Sequence, residues 1–203
     1  VQISQEYGSP LYVYDAHVME QQYTRLTRAF SAVPHLRINY AVKALSNLSV
    51  LKWMHQLGAG LDTVSIQEVQ LGLAAGVAPH EIIYTPNGVS LSEIEEVAQL
   101  GVQINIDNLD VLEQFGTAHP NIPVCIRINP HIMAGGNANI SVGHIDSKFG
   151  ISIHQMPHLL RIVENTGMRI NGVHMHTTSA NTHARSLAMG PSGRSSTGGC
   201  ANS

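Results

Sequence analysis

The sequence has little charge, few cysteines and no long apolar run, and each shortage excludes a class of protein. Charged residues make up 12% of the 203 residues, with a formal net charge of −3, so neither nucleic acid nor an anionic membrane surface is expected as a partner. The two cysteines, Cys125 in an apolar run and Cys200 near the end, do not indicate a disulfide framework. We expect Cys125 to be a small core residue.

No apolar stretch approaches the roughly 18 residues that span a bilayer. The first ten residues, VQISQEYGSP, have neither the basic nor the apolar region of a secretory leader. With 43% hydrophobic residues, a chain of this size can bury a substantial core. These features predict a soluble globular protein of the cytoplasm.

Six short runs rich in Val, Ile, Leu or Tyr predict buried parallel strands. Segments with helix start and stop signals separate them, such as Ser65 with Glu68 followed by Gly76. The other signals are Ser46 or Asn47 with Gly58, Ser90 with Glu93 or Ser92 with Glu95 before Gly101, and Asn108 with Gly116. The predicted strands cover residues 36–42, 59–64, 81–86, 102–107, 122–128 and 170–176.

Alternating strands and helices predict an α/β fold with a parallel sheet. The sheet is either doubly wound or closed into an eight-stranded barrel, and the periodicity does not separate the two. After residue 176 only 27 residues remain, too few for two more units of about 22 residues each. Residues 180–203 contain no acid, no aromatic residue and no apolar period, which predicts a disordered or foreign tail.

Chemically active groups in parallel α/β folds stand at the carboxyl ends of the strands. A lysine, carboxylates, an arginine and a histidine gathered there would suit a carbonyl cofactor held as a Schiff base, or an anionic substrate. Of the three lysines, Lys52 falls within a predicted helix, so Lys43 is the first candidate, although an exposed or structural lysine fits the pattern equally well. The strand-end residues are Lys43, Asp62, Asn87, Asp107, Arg127, Asn129, His174 and His176.

Three further features have ordinary explanations. His174 and His176 share a strand face at a metal-ligand spacing, but such histidines more often hydrogen-bond or stack, and we expect no metal. His154 and His158 flank Pro157 near a helix start and are expected to be solvated. Asp107 and Asp110 are predicted to complement the dipole of the helix that follows. The run from 129 to 152 is longer than an ordinary βα loop, which favours a functional loop.

Six motifs, taken in chain order, resemble a known family. YGSPLYVYD, YAVKA, GLDTVS, IRINP, GHIDSKFGI and GVHMHT are similar to motifs of the diaminopimelate decarboxylase family. That family belongs to the fold-type III pyridoxal-phosphate-dependent decarboxylases, which have alanine-racemase-like barrels. The resemblance covers about residues 5 to 179.

The resemblance implies an incomplete (β/α) barrel of about six units. Residues 1–15 would lead into the barrel, residues 16–179 would form a partial pyridoxal-phosphate-binding barrel, and residues 180–203 would be the tail. Full-length members continue through two more strands and a C-terminal β-domain, which we expect to be absent from these 203 residues.

The resemblance also implies roles for individual residues. Lys43 would carry pyridoxal phosphate as a Schiff base, and Asp62 would be the acidic residue near the cofactor. Arg127 would lie beside it, and His176 would stack on the pyridine ring. Ser179 would lie near the phosphate, although Thr178 stands where the family usually has glycine.

The implied reaction converts meso-2,6-diaminopimelate into L-lysine and carbon dioxide, the last step of lysine biosynthesis, in a homodimer. We expect this chain alone to have little or no activity. The alternatives are a non-catalytic pyridoxal-phosphate-binding barrel, another basic amino-acid decarboxylase of the same fold type, and a metal-dependent hydrolase using Asp62, His174 and His176.

Overall fold

Seven parallel strands form one sheet in the computed structural model, which describes residues 2–131 and 149–176. β1 to β5 lie side by side in chain order, and β6 and β7 both pair with β5. The six predicted strands are confirmed as β1–β5 and β7, and the two-residue β6 was not predicted. The strands are β1 Asn39–Ala41, β2 Gly60–Thr63, β3 Ile82–Tyr84, β4 Gln103–Ile106, β5 Val124–Asn129, β6 Ile151–Ser152 and β7 Ile170–Met175.

Helices connect most of these strands. Because parallel neighbours in chain order are joined by right-handed crossovers, the connecting helices cover the same face of the sheet. A doubly wound sheet reverses its strand order and has helices on both faces. The strand order of this sheet is therefore that of a barrel-type fold. The helices are α1 Gln2–Tyr7, α2 Ala16–Ala29, α3 Leu48–Gln56, α4 Ile66–Ala74, α5 Leu91–Gln99, α6 Leu109–Ala118 and α7 Met156–Thr166.

The predicted helix starts are confirmed at four N-caps. Side-chain oxygens of Asn47, Ser65, Ser90 and Asn108 accept backbone N–H groups of the first helical turn. α4 and α5 are each followed by a glycine with positive φ, +93° at Gly76 and +75° at Gly101. Local hydrogen bonding therefore determines these helix ends, as the sequence pattern indicates.

The predicted stop at Gly116 is wrong, because α6 continues through it to Ala118. A Cβ at Gly116 would lie 2.7 Å from Met168 Sδ and 3.0 Å from Thr166 Oγ1. The glycine therefore serves close packing between α6 and the end of α7 rather than a helix end.

The sheet has an apolar outer face, packed against the helices. Leu61, Ile82, Tyr84 and Ile104 have no exposed surface and belong to one large apolar cluster with helix residues such as Val69. Successive strand residues point to opposite faces, so Asp62, Asn105, Arg127 and His174 point to the inner face. Cys125 is buried in β5, as predicted. None of the described helices is long and apolar enough to cross a membrane.

Candidate active site

Lys43 lies immediately after β1, at the carboxyl edge of the sheet. The strand ends at Ala41, one residue earlier than predicted, and Val42–Ala44 form a 3₁₀ turn closed by a hydrogen bond from Leu45 N–H to Val42 O (3.1 Å). The turn leaves the Lys43 side chain exposed. Lys52 is exposed on α3, as predicted, and Lys148 lies outside the described residues.

Asp62 lies in β2, next to β1. Burial raises the pKa of its carboxyl group, and a hydrogen bond from Thr85 (2.9 Å) together with the positive charges of Lys43 and Arg127 opposes that rise. His176 contributes in the same direction. These electrostatic interactions place the carboxyl group among the predicted site residues.

Arg127 lies in β5 and is 8% exposed. Burial lowers the pKa of its guanidinium, while the charges of Asp107 and Asp62 raise it. Its Cζ stands 4.9 Å from the centre of the Phe149 ring, within the range of a cation–π contact. A positive charge that two carboxylates influence therefore lies beside an aromatic ring.

Two histidines complete the group from β7 and its end. Burial, with the nearby charges of Arg127 and His176, lowers the pKa of His174 to about 4. Burial also lowers the pKa of His176, helped by Arg127 and Lys43 and opposed by Asp62. Both imidazoles are therefore neutral at neutral pH, which suits a ring that stacks on another ring.

Asp107 interacts with the candidate site residues in addition to lying just before helix α6. Asn87 Nδ2 donates a hydrogen bond to its carboxylate (2.7 Å), and its charge acts on Arg127. The following helix α6 is capped by Asn108 and carries Asp110 in its first turn, where a negative charge complements the helix dipole. The position of Asp107 at a strand end was the sequence signal for its interaction with the site residues.

Sequence reasoning missed two buried polar residues, Thr85 and Asn105. The signal for them was a polar residue inside an otherwise apolar run, in EIIYTP and in VQINID. Asn105 Nδ2 donates to Thr85 Oγ1 (2.9 Å), and Thr85 in turn bonds to Asp62. Only the register of neighbouring strands brings these three side chains together.

Asp62, His174 and His176 do not form a metal site in the described part of the chain. No three of its His, Cys, Asp or Glu side chains are arranged to hold a metal ion. His154 and His158 are exposed, as predicted. Ser179, predicted to lie near a phosphate, and Thr178 beside it fall outside the described residues, so their roles stay predictions.

Comparison with known proteins gives one consistent family. Residues 18–191 match the family described as pyridoxal-dependent decarboxylase, pyridoxal-binding domain. The diaminopimelate decarboxylase of Methanothermobacter thermautotrophicus is 35% identical over 88% of this chain and 42% of its own length. The chain thus spans less than half the length of this curated relative.

Solved structures agree. The crystal structure of diaminopimelate decarboxylase from Helicobacter pylori complexed with L-lysine is 30% identical, with a TM-score of 0.78 over 89% of this chain and 47% of that one. The lysine/ornithine decarboxylase of Vibrio vulnificus complexed with putrescine is 25% identical, with a TM-score of 0.74 over 89% of this chain and 45% of that one. The barrel-type fold predicted from the sequence is confirmed.

Proposed function

The chain belongs to the pyridoxal-dependent decarboxylases, and from that membership we propose that it supplies the cofactor-holding barrel of a diaminopimelate decarboxylase. The reaction would convert meso-2,6-diaminopimelate into L-lysine and carbon dioxide. One observation carries the proposal. The carboxyl edge of the sheet gathers Lys43, Asp62, Arg127 and His176 into one group of interacting charges and rings.

The donor set fits pyridoxal phosphate. The cofactor needs an amine for its aldehyde, a charge-complementary surrounding for its ring, and a flat neutral group to lie against. The exposed Lys43 supplies the amine, and Asp62 and Arg127 supply fixed charges of opposite sign. His176 supplies a ring that is neutral at neutral pH.

When bound, pyridoxal phosphate withdraws electron density from the substrate carbon that loses its carboxylate. The chain's own residues would hold the cofactor and orient the substrate. Lys43 Nζ would hold the cofactor and take part in the release of product. Arg127, which is buried in β5 and interacts electrostatically with Asp62 and Asp107, supplies a positive charge that suits an anionic substrate group. His176 would lie against the cofactor ring.

Substrate choice rests on similarity. Among solved structures, the 30% identity to the Helicobacter pylori diaminopimelate decarboxylase exceeds the 25% identity to the Vibrio vulnificus lysine/ornithine decarboxylase. The runner-up is therefore decarboxylation of another basic amino acid in the same group. A pyridoxal-phosphate-binding barrel without catalysis is the second alternative.

Adding amino acids to the chain loaded with pyridoxal phosphate tests these choices. The absorption band of the lysine-bound cofactor should change at lower concentrations of meso-diaminopimelate than of L-ornithine or L-arginine. Trapping of labelled carbon dioxide measures turnover, which we expect to be low for these 203 residues alone. A preference for ornithine or arginine would favour the runner-up. A stable band with no response to any of the three would favour the non-catalytic barrel.

We also propose a homodimer acting on a small amino-acid substrate in the cytoplasm, where amino-acid biosynthesis takes place. The domain assignment remains part of the proposal, with residues 1–15 leading into the barrel, 16–179 forming it and 180–203 following it. Sedimentation velocity at micromolar concentration measures the assembly. A monomer across the accessible concentration range would contradict the dimer without affecting the cofactor site.

A further inference from the structure

Thr85 and Asn105 are buried polar residues on the two strands beyond Asp62. Thr85 follows β3 and is 7% exposed, and Asn105 lies in β4 and is 3% exposed. Burying an uncharged polar side chain costs free energy unless it is hydrogen-bonded. An apolar residue at either position would be buried at a lower cost in free energy. The presence of Thr85 and Asn105 there therefore indicates a polar function.

The hydrogen bonds between these residues run in one direction. An amide nitrogen can only donate, so Asn105 Nδ2 gives its proton to Thr85 Oγ1 at 2.9 Å. The hydroxyl then uses its own proton for Asp62 Oδ1, also at 2.9 Å. An ionised carboxylate can only accept, which requires this same order. The direction is therefore determined at both ends.

We infer that Asn105 and Thr85 form a buried hydrogen-bond relay that positions the Asp62 carboxylate toward Lys43 in the cofactor site. The purpose of the relay rests on the proposed function. The relay itself is observed as hydrogen bonds among three side chains of neighbouring strands. Thr85 and Asn105 act through Asp62, so they are positioning residues. Without Thr85, the Asp62 carboxylate would lose the side-chain hydrogen-bond donor that the described residues give it.

The charges around Asp62 make the relay measurable. The charges of Lys43, after β1, Arg127, within β5, and His176, after β7, act on its carboxyl group. The bond from Thr85 also lowers the pKa of Asp62. Loss of the relay should therefore raise the pH at which Asp62 takes up its proton, whether or not a cofactor is bound.

The first readout is the carboxyl-carbon NMR titration of Asp62 in the full 203-residue chain, with the resonance assigned by its loss in Asp62→Asn. A hydrogen bond to a charged group predicts that Thr85→Val raises the midpoint by about one pH unit. Asn105→Ala frees the hydroxyl to rotate and should raise the midpoint by about half as much. Thr85→Ser keeps the hydroxyl and should restore the original midpoint.

Thr63→Val is the matched control. Thr63 is a fully buried threonine of the same strand as Asp62, and its hydroxyl donates to Ile83 O (2.9 Å) rather than into the relay. Thr63→Val loses one buried side-chain hydrogen bond, whereas Thr85→Val loses two, and Thr63→Val should leave the Asp62 midpoint unchanged. An equal shift in Thr63→Val would reduce the effect to general destabilisation and overturn the inference.

The second readout separates the relay from the function. If the chain binds pyridoxal phosphate, binding is expected to weaken below a certain pH. That pH should be higher in Thr85→Val than in the wild type and should have the wild-type value in Thr85→Ser. A wild-type chain that binds no pyridoxal phosphate would contradict the proposed function, while the NMR titration still tests the relay. An unmoved midpoint in Asn105→Ala and in Thr85→Val would overturn the relay and leave cofactor binding intact. If Thr85→Val does not fold, the Asp62 midpoint in Asn105→Ala alone tests the relay.

Discussion

The two faces of the same sheet differ in composition, although they are built from neighbouring residues. Leu61 on the outer face has no exposed surface and belongs to the apolar cluster, while Asp62 beside it lies among charged groups. Ile104 and Asn105 of β4, two strands away, repeat the contrast. Stability and chemistry therefore occupy alternate positions of the same strands.

The difference has a physical cause. The outer face is covered by helices, and close packing makes it intolerant of volume changes: a Cβ at Gly72 of α4 would lie 2.7 Å from Leu61 Cδ1. The inner face carries buried polar groups, whose burial costs free energy and shifts their pKa values. Substitutions on the two faces should therefore affect different measurements.

The largest expected effect is at the edge of the inner face. Lys43→Arg removes the only amine that the site offers among the described residues. A guanidinium does not form a Schiff base with an aldehyde as the lysine amine does. The absorption band of the bound cofactor should disappear, with the free energy of unfolding nearly unchanged. Lys52→Arg on α3 is the control and should keep the band. A band that survives in Lys43→Arg would remove Lys43 from the site.

A cavity on the outer face should affect stability alone. Leu61→Ala is expected to lower the free energy of unfolding by about 3 kcal/mol, as large-to-small changes in a packed core do. Urea unfolding measures the loss, and the folded fraction should still bind pyridoxal phosphate. Leu160→Ala on α7, where the leucine is 53% exposed, should cost less than about 0.5 kcal/mol. Equal losses in the two variants would contradict the outer-face account.

A polar contact on the outer face should also be structural only. The hydroxyl of the fully buried Tyr84 donates to Glu93 Oε1 (2.7 Å), which also accepts from Ile66 N–H (3.2 Å) at the start of α4. Tyr84→Phe should lower the free energy of unfolding by about 1.5 kcal/mol. Affinity for pyridoxal phosphate should not change. A large loss of affinity would mean that this contact also supports the inner face.

The smallest effect concerns pH. The pKa of His174 is about 4 in the folded chain, below its ordinary value of about 6.5. Between these values the unfolded chain binds a proton that the folded chain does not, so stability falls as the pH falls from about 6.5 toward 4. His174→Gln should remove about 1 kcal/mol of the loss between pH 7 and 5, after allowing for screening of a partly exposed ring.

Urea unfolding of wild type and His174→Gln at both pH values measures that difference. His158→Gln, at an exposed position of α7, is the control and should leave the wild-type pH dependence in place. An unchanged pH dependence in His174→Gln would show that this histidine is not buried in its neutral form.

Sequence patterns predict what depends on local order and miss what depends on register. Apolar runs predicted β1–β5 and β7, and Asn47, Ser65, Ser90 and Asn108 predicted four helix starts. Gly116 was misread because its contacts with Met168 and Thr166 come from a distant part of the chain. β6 has two residues, too few to show a period.

The site shows the same division. Lys43, Asp62, Arg127 and His176 could be proposed in advance because strand ends converge in any parallel barrel. Asp107 was seen as a strand-end residue, but its hydrogen bond from Asn87 and its interaction with Arg127 required the fold. Thr85 and Asn105 carry no charge that would draw attention, and only the alignment of β2, β3 and β4 brings them to Asp62.

Borohydride reduction of the chain with pyridoxal phosphate, followed by mass-spectrometric mapping of the modified lysine, tests the central claim most directly. The account predicts one stoichiometric modification, at Lys43, with Lys52 and Lys148 unmodified. Label spread over all three lysines, or no stable label in folded chain, would contradict a cofactor site at this edge of the sheet.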